Sequence, residues 1–223
     1  VAGLANDACP NCGIRWDHPE LPVEGERLYC TCENIFEFDK GYWREVVPYF
    51  EQYQYFAERT ADCGQDSGQR LGNFGLGIAG ETAEFIDAVV NLEFAGGEST
   101  AIIKEAGDVN WYCATLCTTA GLSFQAVVDG AKEAEAAPLY VCIGRLGKAA
   151  GDVAEYVKKV VYHGHALDET KLGKLIGNVL AWLKLFCRRY GLCMQEICNT
   201  NIAKLKQRYP DGFTSAASIN RVV

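Results

Sequence analysis

Hydrophobic positions change their period once along this chain. From Tyr42 onward the pattern turns helical: Val46, Tyr49, Phe50, Tyr53 and Phe56 recur every three or four residues. That spacing gathers them on one helix face. Residues 1–37 look different. They hold Pro10, Pro19 and Pro22, several glycines and two short β-like stretches at 27–29 and 34–38. The polar segment 61–69, with two glycines, reads as a loop. A helix over 71–92 follows, then a turn around Gly96-Gly97 and a helix over 100–119. The second helix turns Ile102, Ala106, Val109, Cys113 and Leu116 to its apolar side, and Gly121 stops it. Ser123 is placed to cap a third helix that ends near residue 135, and Pro138 marks a break.

After Pro138 the same grammar returns. Helices are expected over 140–162, 168–190 and 193–207, with turns at Gly164 and Gly191; Pro210-Asp211-Gly212 closes the helical part, and the tail is small and polar. A shift of 70 residues without gaps lays 74–129 on 144–199 with 12 of 56 positions identical. Leu76-Gly77 meets Leu146-Gly147, Gly107 meets Gly177, and Gly121-Leu122 meets Gly191-Leu192. The identity is low, but it coincides with the same helix order. The reading is a tandem duplication: an all-α helical bundle of two repeats, 38–137 and 138–223, forming a pseudo-dimer, behind a Cys-rich segment 1–37.

Composition narrows the class. Apolar residues are 49% of the 223, enough for a sizeable core, and the net charge of −8 argues against nucleic acid as a partner. No stretch reaches about 18 consecutive apolar residues, so no membrane span is expected. Residues 1–9 lack the basic start and apolar run of a signal peptide. Seven of the 11 cysteines scatter, mostly through apolar stretches, as small hydrophobes do in a reducing compartment. The expectation is a cytoplasmic protein.

The candidate chemistry is acidic. Glu81 and Glu84 stand three residues apart on one predicted helix, and Glu105 and Asp108 repeat that spacing on the next. A short turn joins the two helices, so four carboxylates converge between them. Unpaired, they would repel each other and their pKa values would rise. A divalent cation resolves the conflict, and magnesium prefers hard oxygen ligands. Solvated helix faces also carry such pairs. The small neighbours Ala79, Gly80, Ala83 and Gly107 favour close approach of the backbones, because Gly on an exposed helix costs about 1 kcal/mol against Ala.

The run Leu76-Gly77-Ile78-Ala79-Gly80-Glu81-Thr82-Ala83-Glu84, followed by Glu105-Ala106-Gly107-Asp108-Val109-Asn110-Trp111-Tyr112, resembles the MazG-like nucleoside triphosphate pyrophosphohydrolases. Their signature is E-x-x-E, a spacer, then E-x-x-D. The segment from Asn201-Ile202-Ala203-Lys204 through Arg208 to Phe213 resembles the closing motif of that family, and Tyr53-Gln54 to Arg59-Thr60 its opening helix. The resemblance covers about residues 42–213. It implies an all-α fold and magnesium held by Glu81, Glu84, Glu105 and Asp108, with manganese a conceivable substitute. It further implies cleavage of (deoxy)nucleoside triphosphates to monophosphate and pyrophosphate, in a nucleotide-pool or house-cleaning role.

One departure from the family pattern stands out. Under the 70-residue shift the four acids fall on Gly151, Ala154, Leu175 and Asn178, so the second repeat cannot hold magnesium in the same way. Conversely, Ala131 takes the place of Asn201 in the first repeat. Family members usually build a site from two subunits; here one chain supplies both parts, or else the second repeat is scaffold alone. Asn201, Lys204 and Arg208 share a helix face and are the candidate phosphate-binding groups, though a helix C-terminus also favours such cations. Lys158, beside Lys159, is a further candidate, and a solvated helix end accounts for it as well. Trp111 is a candidate wall for the base, with core packing the commoner role for such a residue, and Gln54 on the opening helix is a candidate substrate contact. Homo-oligomerisation stays open.

Cys9-Pro10-Asn11-Cys12 with Cys30-Thr31-Cys32 makes a zinc-ribbon-like pattern, and four thiolates match a closed, structural zinc site. The second pair has one intervening residue rather than two, so one of its cysteines could be a bystander, with His18 in its place. The competing reading from another class is a non-catalytic, zinc-containing binding or regulatory module on the same bundle.

Overall fold

The computed structural model describes residues 27–29, 35–39, 42–45, 48–61, 64 and 66–219. The chain forms two compact units, residues 1–52 and 53–223.

The first unit contains a three-stranded antiparallel sheet of β1 (Arg27–Tyr29), β2 (Ile35–Asp39) and β3 (Tyr42–Glu45), in the order β1-β2-β3. Asp39 is paired with Tyr42 and Phe36 with Glu45. This corrects the expectation that helix begins at Tyr42. Tyr42 and Trp43 favour strand when a partner is at hand, and β2 lies two residues upstream to provide it. Helix α1 (Tyr49–Glu58) starts only after Pro48.

The second unit is an all-helical bundle. It contains α2 (Ser67–Phe94), α3 (Ser99–Thr119), α4 (Phe124–Gly130), α5 (Leu139–His163), α6 (Glu169–Arg189), α7 (Met194–Arg208) and α8 (Ser215–Ile219). Helix α2 starts inside the stretch read as loop. Asp66 caps it: its side chain accepts from the Gln69 amide at 2.8 Å, and the Gln69 side chain accepts from the Asp66 amide at 3.2 Å. The two groups satisfy orphan N–H donors that would otherwise oppose the helix. The turn of α8 within the polar tail carried no sequence signal.

Two helix stops are built alike. Gly121 after α3 and Gly191 after α6 both take positive φ, 70° and 65°. The Leu122 amide donates to the Cys117 carbonyl at 2.9 Å, and the Leu192 amide to that of Cys187 at 2.8 Å. Such a left-handed residue lets the chain turn back while satisfying terminal carbonyls. Both ends of α6 lie 70 residues beyond the matching ends of α3.

Helix α2 packs against α3 and α5, and α5 against α6. The shorter helices cross over: α7 lies on α3, and α4 lies mainly on α6. The half before the connection 131–138 therefore gives its last helix to the half after it, and receives α7 in return. Phe85 of α2 and Phe186 of α6 meet edge to face at 5.4 Å, both buried. Removing either ring would cost about 3–5 kcal/mol. Six free cysteines are described, five of them buried, and burial pushes Cys117 and Cys187 up to about 12. Among the described residues no helix is long and apolar enough to cross a membrane.

Candidate functional site

Three of the four predicted acids share one point. Glu81 and Glu84 project from α2 and Glu105 from α3, and one carboxylate oxygen from each lies within 4.8 Å of the others. The i, i+3 spacing puts the first two on the α2 face that meets α3. An anchor at the far end of these helices fixes that alignment. Arg70 of α2 donates to both oxygens of Glu58 at 2.6 and 2.8 Å, lies over the Phe74 ring, and reaches Thr119 of α3 at 3.3 Å.

The trio is electrostatically frustrated. Glu105 is 7% exposed, and its Oε2 is buried with no hydrogen-bond partner. Its Oε1 accepts from Lys104 at 2.9 Å. Burial and the fields of Asp108, Glu84 and Glu105 push the Glu81 carboxyl from 4.5 up to about 7. Lys104 is raised by its bond to Glu105. An unpartnered oxygen at the meeting point of three carboxylates is the environment a hard divalent cation relieves, and the all-oxygen donor set fits magnesium.

Asp108, the fourth acid, is engaged elsewhere. Lys204 of α7 donates to both its oxygens, the one to Oδ2 at 2.6 Å, and Asn201 Nδ2 donates to Oδ1 at 2.7 Å. The close crossing of α3 and α7 permits this. A Cβ on residue 107 would stand 2.9 Å from Asn201 Cβ, so the glycine lets α7 approach. At the matching crossing of α6 and α4, a Cβ on residue 177 would stand 3.9 Å from Ala131 Cβ.

Behind Asn201 stands Tyr53, whose site role the sequence did not reveal. Its hydroxyl donates to Asn201 Oδ1 at 3.2 Å and lies 3.4 Å from the Gly107 carbonyl. The amide is oriented from both ends, since a flip would turn its oxygen toward the Asp108 carboxylate. In the sequence Tyr53 is one more aromatic on an apolar stripe, and only the fold brings its hydroxyl to residue 201.

A cleft of about 330 Å³ joins the acids to aromatic and basic groups. Glu81, Glu84, Glu105 and Asp108 line it, as do Trp111 and Arg208. Trp111 donates to Thr60 Oγ1 at 2.9 Å and meets Phe74 edge to face at 5.8 Å, so its ring is a fixed wall. Tyr112 also borders the cleft, and a Cβ on residue 77 would stand 2.1 Å from its ring. The small-residue argument holds at Gly107 and fails at Gly80, where an added Cβ meets nothing within 4 Å. The close contacts on α2 fall instead at Gly75, against Val157, and at Gly77.

Four expected substrate contacts, Gln54, Lys158, Asn201 and Lys204, lie outside the lining of this cleft. Gln54 Nε2 donates to the Leu122 carbonyl at 2.8 Å and to Thr118, while its Oε1 accepts from the Phe124 amide at 2.7 Å. It splints the turn between α3 and α4. Lys158, on α5, pairs with Glu155 beside Lys159. Lys204, a candidate phosphate-binding group, is tied to Asp108 and three-quarters covered. Cys9, Cys12, Cys30 and Cys32 lie outside the described residues. No family model, curated protein or solved structure matches this chain.

Proposed function

We propose that this chain is an enzyme that hydrolyses (deoxy)nucleoside triphosphates to nucleoside monophosphate and pyrophosphate. The observation that carries the reading is the unpartnered Glu105 Oε2 within a trio of carboxylates that opens on a cleft shared with Arg208. Glu81, Glu84 and Glu105 would hold magnesium or manganese, with Asp108 beside them. When bound, such an ion neutralises phosphate charge and polarises the scissile bond. Arg208, which lines the same cleft, would offer a guanidinium to phosphate oxygens as charge grows when the bond breaks. Trp111, fixed by Thr60 and set at 89° to the Tyr112 ring, offers a rigid face against which a base can stack.

The reading includes a tandem duplication. The 70-residue offset of α3 and α6, the twin glycine stops and the paired crossings at Gly107–Asn201 and Gly177–Ala131 support it. In this view the first repeat kept the acids and the second kept the phosphate-binding helix, so a single chain makes one composite site. The four N-terminal cysteines are assigned to a structural zinc ion on their sequence spacing alone.

A panel of ribo- and deoxynucleoside triphosphates with magnesium, analysed for pyrophosphate and orthophosphate, tests the activity. Pyrophosphate release that disappears in Glu84→Gln is the expected result. Release of orthophosphate alone, or no turnover of any nucleotide by folded protein, overturns the proposal.

A further inference from the structure

The acidic cleft has an order along its length. Arg70 of α2 reaches Thr119 of α3, Phe74 meets Trp111, and Glu84 lies beside Glu105, so the two helices run antiparallel. The carboxylates mark one end of the cleft. Next comes Gly77 against the Tyr112 ring, and then Phe74 beside Trp111. Asn73 borders the cleft at that last level. It precedes Glu81 on α2 by about 12 Å at 1.5 Å of rise per residue. An extended nucleotide with its phosphates at the acids brings its base to this level.

Asn73 is the one carboxamide in the lining, and it is exposed. The polar groups around Trp111 are already engaged. The indole N–H donates to Thr60 Oγ1 and the Ala57 carbonyl, and the Thr60 hydroxyl donates to that same carbonyl. Among the described residues nothing bonds the Asn73 side chain. Asn201, by contrast, is held at its oxygen by Tyr53 and at its nitrogen by Asp108. One amide is locked and the other is free to turn.

We propose that the Asn73 carboxamide binds the edge of a base stacked on Trp111, and that its freedom to turn makes the cleft accept amino and keto bases alike. A carboxamide carries a donor and an acceptor that a half-turn exchanges. Turned one way, it accepts from the exocyclic amine of cytosine and donates to the ring nitrogen. Turned the other way, it donates to the keto oxygen of uracil and accepts from the ring N–H. A locked amide would select one of the two. The inference rests on the nucleotide reading above and adds its base range, without depending on turnover.

The probes are α,β-imido-dCTP and α,β-imido-dUTP, in which the bond proposed to break is replaced. They are titrated calorimetrically into the full-length protein with magnesium. Wild type should bind the two within about fivefold of each other, and a wider gap overturns the free amide. Asn73→Ala should weaken both by about threefold to tenfold, the worth of one neutral hydrogen bond. Asn73→Asp offers acceptors only, so it keeps a partner for the cytosine amine and turns a carboxylate on the uracil keto oxygen. The ratio of the dUTP-analogue Kd to the dCTP-analogue Kd should then rise at least about tenfold. The added negative charge acts on both triphosphates equally and cancels in that ratio. Melting curves should show both variants folded, because the side chain is exposed. Wild-type affinities in Asn73→Ala, or an unchanged ratio in Asn73→Asp, overturn the contact and leave the hydrolysis reading standing. Wild-type protein that binds neither analogue overturns this proposal and the nucleotide reading together.

Discussion

Asn201 and Asp108, 93 residues apart, are joined by a 2.7 Å hydrogen bond from the amide nitrogen to the carboxylate. The bond ties an acid of one half to the motif helix of the other, and the two sides of the candidate site meet in it. Asn201→Ala should lower turnover at least about tenfold and destabilise the fold by about 1–3 kcal/mol, since Tyr53 loses one of its two acceptors and Asp108 a donor. Steady-state kinetics and urea unfolding of the same preparation check both parts. Unchanged kinetics would reduce α7 to packing.

Tyr53→Phe isolates the hydroxyl. The ring, buried and 6.0 Å from Phe124, should pack as before. The loss of one buried hydrogen bond should cost about 1 kcal/mol. Turnover should fall less than in Asn201→Ala, because Asn201 still reaches Asp108 while its orientation loosens. A larger fall than in Asn201→Ala would point to direct contact between the hydroxyl and substrate.

The acids should oppose stability when no cation is present. The folded-state pKa of Glu81, about 7, lies above its ordinary 4.5. Between those values the folded chain binds more protons than the unfolded one, so stability must fall as pH rises from about 4.5 to about 7 and level off beyond. Melting curves in EDTA between pH 5 and 8 should decline accordingly. Saturating magnesium should cancel the decline, and its affinity should rise through the same window.

Glu81→Gln separates folding from function. At pH 8 in EDTA the variant should melt higher than wild type, having lost a repelled charge. It should also lose most of the magnesium-induced rise in Tm and all turnover. A variant that melts lower in EDTA would show that the carboxylate is held by the fold and not strained by it.

Glycine substitutions on α2 should diverge. Gly80→Ala adds a methyl in open space and should stabilise by about 0.5–1 kcal/mol through helix propensity. Gly77→Ala drives a methyl into Tyr112 and should destabilise by about 1–3 kcal/mol. Calorimetry on both variants compares them directly.

These glycines mark the limit of what could be read before folding. Helix order, the stops at Gly121 and Gly191, the Ser123 cap and the meeting of Glu81, Glu84 and Glu105 follow from local spacing, which the chain displays openly. The partners of Gly75 and Gly77 depend on which helix arrives from elsewhere, and no local pattern encodes that. The same holds for Gln54, a polar residue on an early helix that ended as a splint. The pairing of Lys204 was hidden because its carboxylate lies nearly a hundred positions away. The start of α2 was missed because Asp66 and Gln69 sit among glycines that mask a capping box.

The crossing of α4 and α7 between halves has a consequence for how the molecule comes into being. A ribosome finishes the acids at 81–108 long before it reaches Asn201 and Lys204. Until then Asp108 has no counter-ion from α7, and α6 gathers α4 and α5 while α3 waits for α7. The α7 side of the candidate site is thus added late, and a chain truncated before residue 194 should fold incompletely and leave Asp108 without Asn201 and Lys204. Severing the connection 131–138, by contrast, should leave two fragments that need each other and can recombine, because each lacks what the other holds out.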